Sequence, residues 1–152
     1  MDARGLLQLI RSGPESPGIG AAIDGVGDPA VLAELGKLLA AEPEAVRLAA
    51  ATALGAAGNP EGLTTLAPLL EDDSPIVRLA AVQAVAEHGA VEDMVPALAA
   101  LIRRDANPRT RLLAVSALFI VRDRSAARAA LYAAAEDMDR SVRDLALRTL
   151  GR

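Results

Sequence analysis

The 152-residue sequence predicts an all-α protein, a right-handed solenoid of about five helical pairs. The main observation is an arginine that recurs at intervals of 31, 33 and 32 residues, as Arg47, Arg78, Arg111 and Arg143, near the start of stretches rich in Ala, Val and Leu. Regular periods of this length are typical of helical repeats that bury their apolar faces by stacking on their neighbours. Composition agrees, because a chain with no Trp, one Tyr and one Phe must build its core from aliphatic residues, and alanine has the highest helix propensity.

Residues 1–27 are expected to form a degenerate N-terminal unit. The run "LLQLI" is the candidate for its first helix. Four glycines between positions 18 and 27 weaken the second helix, since each interior glycine costs about 1 kcal/mol relative to alanine. We therefore expect a short or frayed element there. Terminal repeats often depart from the consensus because one of their faces meets water.

Four regular units follow within a single domain spanning residues 1–152, and each is expected to contain two helices. Their boundaries are 28–58, 59–89, 90–122 and 123–152. Several helices are predicted to start at an N-cap side chain followed by proline. These starts are Asp28-Pro29, Asn59-Pro60, Ser74-Pro75 and Asn107-Pro108. Gly89 is expected to end a helix, and Pro68 and Pro96 are expected to bend the first helices that contain them.

The stretch "DDSPIVRLAAVQAVAEHG", residues 72–89, combines an acidic turn, a proline, a Val-Arg pair and spaced Ala and Val residues. This pattern resembles the HEAT repeat, in particular the short bacterial PBS-lyase HEAT-like kind. The resemblance covers residues 28–152 and is strongest over 59–122. The first unit has Ala41 and Glu42 in place of the turn aspartate, and the last has Arg140 in place of the proline. The resemblance implies that the second helices line a concave face.

The repeated arginines are predicted to be structural. Three of them follow a turn aspartate by six residues, so a carboxylate and an arginine can meet within one unit or across to the next. Pairs repeated along the stack would fix the register between layers. An alternative, a basic stripe for an anionic ligand, is disfavoured by the acidic partners. This predicted ladder consists of Arg47, Arg78, Arg111, Arg143, Asp72, Asp105 and Asp137.

On the face that the HEAT-like resemblance makes concave, a row of leucines runs beside a row of polar residues. In one hypothesis the leucines form an exposed apolar stripe for a partner helix or peptide. In the other they are half-buried between helices and only fill space. The predicted partner-binding residues are Leu48, Thr52, Leu79, Gln83, Leu112, Ser116, Phe119 and Arg148.

No catalytic, cofactor or metal site is predicted. His88 is the only histidine and there is no cysteine, so metal and nucleophile chemistry have few candidate residues. His88 is expected at a helix C-terminus, where it interacts favourably with the last carbonyls. The acidic clusters at 71–73 and 136–139 could bind a hard cation, but they fall on turns, where aspartate normally caps helices.

These observations predict a non-enzymatic interaction module that binds a protein or peptide, with possible self-association through the solenoid ends. We expect a cytoplasmic protein, since the chain has no cysteine and no run approaches the roughly 18 apolar residues of a membrane span. High usage of Ala, Arg, Gly and Leu suggests a bacterial origin. The resemblance offers alternatives. One is an accessory subunit of an enzyme complex, as in bilin lyases. A nucleic-acid binder is disfavoured by the net charge of −4. A hydroxylase that holds iron with His-Glu pairs is disfavoured by the single histidine.

Overall fold

The computed structural model describes residues 1–13, 18–26, 28–58, 60–89 and 92–152. It divides into two compact units, an N-terminal unit (Met1–Ala84) and a C-terminal unit (Val85–Arg152). The described residues contain ten α-helices and two short 3₁₀ segments, at Pro68–Glu71 and Glu92–Met94. The helices are α1 (Ala3–Arg11), α2 (Ile19–Asp24), α3 (Pro29–Leu39), α4 (Glu44–Ala57), α5 (Pro60–Thr64), α6 (Pro75–His88), α7 (Val95–Arg104), α8 (Pro108–Ala117), α9 (Ser125–Ala134) and α10 (Arg140–Thr149).

In the N-terminal unit the helices form two layers. The first helices of successive pairs lie side by side, α1 against α3 and α3 against α5, while the second helices α2 and α4 pack together. Contacts of α1 with α2 and α4 join the layers. Aliphatic side chains fill the space between the layers, and Leu6, Ile10, Leu35 and Leu54 are almost completely buried. The degenerate first pair is therefore packed into the unit, although α2 has only six residues.

The C-terminal unit repeats this arrangement. First helices α7 and α9 contact each other, second helices α8 and α10 contact each other, and α7 packs on α8 as α9 packs on α10. Leu98, Leu118 and Leu131 are fully buried between them. The predicted all-α fold class, built from stacked helical pairs, is thus confirmed.

Two of the predicted helix starts are confirmed together with their side-chain caps. The Asp28 carboxylate accepts the N–H of Ala30 at 2.9 Å, with Pro29 as the first helical residue of α3. The Asn107 side chain accepts the N–H of Arg109 at 2.9 Å, with Pro108 opening α8. Helix α6 begins at Pro75 as predicted, but the buried Ser74 hydroxyl has no hydrogen-bond partner among the described residues, so Ser74 does not cap the helix through its side chain. The other proposed cap, Asn59, lies outside the described residues.

Pro68 and Pro96 do not bend their helices as expected. After α5 ends at Thr64 the chain forms turns, and a 3₁₀ segment begins at Pro68. Proline has no N–H to donate and its ring clashes with the carbonyl four residues earlier, so Pro68 interrupts the helix rather than bending it. Pro96 is the second residue of α7, where its missing N–H has no helical partner to lose. That helix is not bent by an internal proline.

One position in the repeat departs from its equivalents. The residue before the repeated arginine is valine in three units (Val46, Val77 and Val142), but in the unit of Arg111 it is threonine, Thr110. Thr110 is fully buried, and its hydroxyl finds no hydrogen-bond partner among the described residues. A buried hydroxyl without a partner lowers stability, so this position is a weak point of the C-terminal unit.

The second helices α4 and α6 approach each other closely in the N-terminal unit. Gly55 is buried on α4, and a Cβ atom placed there would lie 2.6 Å from the Cβ of Ala84. This distance is shorter than carbon atoms tolerate. The contact therefore requires glycine, and it sets the spacing between these two helices.

Candidate functional site

The N-terminal unit joins successive repeats through a bidentate ion pair. Arg47, in the first turn of α4, donates from Nε and Nη2 to the two carboxylate oxygens of Asp72 at 2.7 and 2.8 Å. Its Nη1 also donates to the carbonyl of Glu42 at 2.7 Å, in the turn of its own repeat. Arg47 thus binds two turns at once. Planar guanidinium and carboxylate groups match each other in such a pair, which adds geometric specificity to the charge attraction.

The turn at Asp72 also receives the arginine of its own repeat. Arg78 donates from Nη1 to the carbonyls of Asp72 and Asp73 at 2.8 and 3.0 Å. The Asp72 carboxylate accepts the N–H of Ser74 at 2.9 Å, which closes the turn. One aspartate therefore holds the turn, the previous repeat's arginine and its own repeat's arginine in one arrangement.

The same arrangement occurs in the C-terminal unit. Arg111 donates from Nε and Nη2 to the Asp137 carboxylate, both at 2.8 Å, and from Nη1 to the Asp105 carbonyl at 2.9 Å. Arg143 donates to the carbonyl of Asp137 at 2.6 Å, and the Asp137 carboxylate accepts the N–H of Asp139 at 2.8 Å. We call each bidentate pair, Arg47 with Asp72 and Arg111 with Asp137, a rung.

Both rungs are largely removed from solvent. The side chains of Arg111 and Asp137 are 10% and 7% exposed, and those of Arg47 and Asp72 are 18% and 7% exposed. Hydrogen bonds from the arginines hold the pKa of the Asp72 and Asp137 carboxyl groups below the usual range, although burial acts in the opposite direction. The carboxylates therefore remain charged in the folded protein at neutral pH.

These contacts decide between the two arrangements that the spacing left open. The side-chain pair connects an arginine with the aspartate of the following turn, while the arginine binds its own turn through backbone carbonyls. Asp105 accepts the N–H of Asn107 at 2.9 Å, so its turn is closed in the same way. Arg78 and Asp105 belong to different units, and their pairing stays a prediction.

One further ion pair was not foreseen from the sequence. Arg11, the last residue of α1, donates from Nε to the Glu42 carboxylate at 3.0 Å and binds its other oxygen through Nη2. Glu42 occupies the turn that lacks the usual aspartate, and Arg11 lies 31 residues before it. The repeat pattern could not reveal this pair because Arg11 comes from the end of a first helix, not from the start of a second.

The predicted leucine row is half-buried. Leu48 on α4, Leu79 on α6 and Leu112 on α8 are all intermediate in exposure, and none is an exposed large hydrophobic residue. In the N-terminal unit the neighbouring polar positions Thr52 and Gln83 are exposed. The exposed part of this row in the N-terminal unit is therefore polar, with half-buried leucine side chains beside it.

In the C-terminal unit the predicted residues are spread over different elements. Ser116 is half-buried near the end of α8, and Arg148 is exposed near the end of α10. Phe119 lies beyond α8 and is 53% exposed. The guanidinium of Arg122 lies 4.3 Å from the centre of its ring and donates to its carbonyl at 2.7 Å. This pair leaves an aromatic ring and a cation accessible together.

The remaining candidates for chemistry take structural positions. His88 is the last residue of α6, and Gly89 follows it with a φ of 95°, as expected of a helix end. The Asp139 carboxylate caps α10 by accepting the N–H groups of Ser141 and Val142. Among the described residues, no three His, Cys, Asp or Glu side chains lie close enough together to hold a metal ion.

Layered helical pairs joined by recurring arginine–aspartate contacts define a helical-repeat protein. The family of HEAT repeats matches residues 4–86 and, in an overlapping alignment, residues 32–119. The chain therefore belongs to the HEAT repeat family. The match begins at residue 4 and so includes α1 of the degenerate first pair.

A solved structure has the same kind of fold. The chain is similar to human deoxyhypusine hydroxylase in complex with glycerol, with a TM-score of 0.55 and 24% sequence identity. The similarity covers 98% of this chain and 72% of the hydroxylase chain. At this identity the likeness shows the fold alone. The search of curated proteins gave no match.

Within the part of the chain that the structure describes, no helix combines the length and apolar character needed to cross a bilayer.

Proposed function

We propose that the chain is a non-catalytic scaffold that binds a partner protein or peptide on the face formed by its second helices. The observation that carries the proposal is the rung of Arg47 and Asp72, which joins the start of α4 to the turn before α6. This rung and the close contact of Gly55 with Ala84 hold α4 and α6 together, so the exposed side chains of Thr52 and Gln83 project from two helices in a fixed arrangement. A face that is ordered before binding loses little conformational entropy when a partner docks.

Catalysis is the competing hypothesis, because the structural neighbour is by name a hydroxylase. The resemblance to that kind of enzyme calls for several His-Glu pairs. This chain has a single histidine, His88, adjacent to Glu87, and no cysteine. Residue types therefore favour a binding role over the neighbour's activity. An accessory role in an enzyme complex is compatible with the proposal, since such a subunit also acts by binding.

The proposal is tested by affinity purification from the source cells followed by mass spectrometry. We compare the wild type with a face variant, Thr52→Arg plus Gln83→Arg, in which two exposed second-helix positions gain bulk and charge. The matched control is Gln8→Arg plus Ala129→Arg, at exposed positions of the first helices α1 and α9. Circular dichroism checks that all three proteins are folded.

The proposal is supported if the wild type and the control capture one protein equally and the face variant captures it at least about tenfold less. A tenfold difference corresponds to about 1.4 kcal/mol. Equal capture by all three proteins would mean that binding occurs on another surface. Hydroxylation of deoxyhypusine by the purified wild type would refute the non-catalytic role directly.

A further inference from the structure

A second surface of the N-terminal unit, away from the second helices, contains an apolar groove. Its volume is about 580 Å³, and it lies between α3 and the interrupted helix of the next repeat. Small side chains make the space, including Ala33, Gly36 and Ala40 on one side and Ala67 and Pro68 on the other. The interruption at Pro68 is what keeps a regular helix from closing it. The volume is within the range of sites that hold bulky ligand groups.

An acidic recess of about 240 Å³ continues from this groove. The two share Gly36, Ala40 and Pro68, and the recess adds Glu71 and Asp73. The other charged residues of its lining, Arg47 and Asp72, neutralise each other in the rung. Glu71 and Asp73 are exposed, and among the described residues neither forms an ion pair. The charge that the recess offers a ligand is therefore negative.

The charge of the whole unit acts in the same direction. Residues 1–84 contain five basic and eleven acidic side chains, a net charge of −6, whereas residues 85–152 contain eleven basic and nine acidic ones, a net charge of +2. Lys37 is the one cation lining the apolar groove in the described part of the chain, and it is paired with Glu34 at 3.5 Å. Long-range attraction therefore favours a cationic ligand at this unit.

We propose that this groove and recess bind a basic amphipathic peptide of a partner protein. A bulky apolar side chain fills the groove, and a lysine or arginine one helical turn away binds Glu71 and Asp73. Residues three or four apart share one face of a helix, which matches the direct continuation of the groove into the recess. The inference rests on the proposed binding role but assigns it a different surface and a defined partner chemistry.

Fluorescence anisotropy tests the inference with the full chain and a labelled 14-residue peptide of Leu, Lys and Ala, designed with leucines and lysines on adjoining helical faces. At about 50 mM salt, where surface charges act over more than 10 Å, we expect binding by the wild type. Replacing the lysines with glutamate, or the leucines with serine, should weaken it at least about tenfold, or 1.4 kcal/mol.

Protein variants locate the site. Glu71→Gln plus Asp73→Asn should weaken binding of the lysine peptide about tenfold, while a control with the same charge change elsewhere on the unit, Asp2→Asn plus Asp24→Asn, should change it less than twofold, since asparagine caps a helix as well as aspartate does. All four positions are exposed, so folding is preserved. Ala33→Gln fills the apolar groove from an exposed position and should weaken binding without any change of charge.

The inference is overturned if the peptide does not bind, if the glutamate peptide binds equally well, or if the two charge variants behave alike. It is also overturned if light scattering shows a dimer that Glu71→Gln plus Asp73→Asn abolishes, because the occupant is then a second copy of the chain. If the peptide assay fails but the purification still captures a partner that the face variant loses, the groove inference is wrong and the second-helix proposal stands. If the peptide binds but no captured protein is lost with Thr52→Arg plus Gln83→Arg, the groove inference stands and the second-helix proposal fails.

Discussion

Replacing Asp137 with asparagine tests whether the rungs hold the repeats together. Asparagine keeps a side-chain oxygen that can accept the N–H of Asp139, so the turn itself is retained. The charge that pairs with Arg111 is lost, and the arginine stays in a site where its side chain is only 10% exposed. The substitution therefore isolates the ion pair from the rest of the turn.

The expected loss is about 3 kcal/mol of unfolding free energy. Removing one partner of a well-buried ion pair typically costs about 3–5 kcal/mol, whereas an exposed pair contributes about 0–1 kcal/mol. Exposures of 10% and 7% place this rung near the lower end of the buried class. For a chain of this length, about 3 kcal/mol corresponds to a fall in Tm of about 6–12 °C.

Urea unfolding followed by circular dichroism at pH 7 measures the change. The control is Glu92→Gln, which removes an equal charge from the pair of Arg124 and Glu92, at 3.4 Å with side chains 64% and 65% exposed. We expect that control to lose no more than about 1 kcal/mol. If Asp137→Asn costs no more than Glu92→Gln, the rungs do not stabilise the stack and the reasoning fails.

The rung should also make stability depend on pH in a defined direction. The pKa of Asp137 is lowered in the folded state, chiefly by the hydrogen bonds from Arg111. A group with a lowered folded pKa stabilises the protein above its unfolded pKa, about 3.9, and this contribution is lost as the pH falls through the folded value. The advantage of the wild type over Asp137→Asn should be constant from about pH 5 to 8 and shrink below about pH 4. A constant difference down to pH 2.5 would contradict this account.

Three substitutions test the packing, each by urea unfolding. Gly55→Ala should destabilise the protein by about 1–2 kcal/mol, because the clash with Ala84 exceeds the gain in helix propensity. The control Gly20→Ala, where the new Cβ meets nothing within 4 Å, should stabilise it slightly. Equal effects of the two substitutions would refute the close approach of α4 and α6. Thr110→Val should stabilise by about 1 kcal/mol by removing the unpaired hydroxyl, and a loss of similar size would show that the hydroxyl is satisfied. Gly89→Ala should destabilise by about 1–2 kcal/mol, since a φ of 95° disfavours a side chain; an unchanged midpoint would argue against that conformation.

Much of the architecture could be predicted from local sequence signals. Helix starts such as Asp28-Pro29 and Asn107-Pro108 depend on one side chain and the backbone next to it. The two-layer stacking follows from a repeat whose members have the same apolar pattern. The interruption at Pro68 was anticipated only as a bend, because its outcome depends on whether neighbouring groups, here Thr65 donating to the Leu32 carbonyl at 3.3 Å, stabilise a broken helix.

The candidate surfaces were less accessible to prediction. Periodicity places Leu48, Leu79 and Leu112 on a common face, but their exposure depends on how closely adjacent helices pack. Gly55 shows how close that packing is in the N-terminal unit. The apolar groove beside α3 had no sequence signal, since small residues are common throughout a chain this rich in alanine.

The sequence by itself determined the helical repeat and the equivalent position of the arginine in each unit, because both recur at nearly constant intervals along the chain. The tertiary structure decided which carboxylate each arginine meets. Arg47 and Arg111 each bind an aspartate in the following turn, and Arg11 binds Glu42 from the end of a first helix. An ion pair depends on where two side chains lie in space, and residues 25 to 31 positions apart come together only after the helices have stacked.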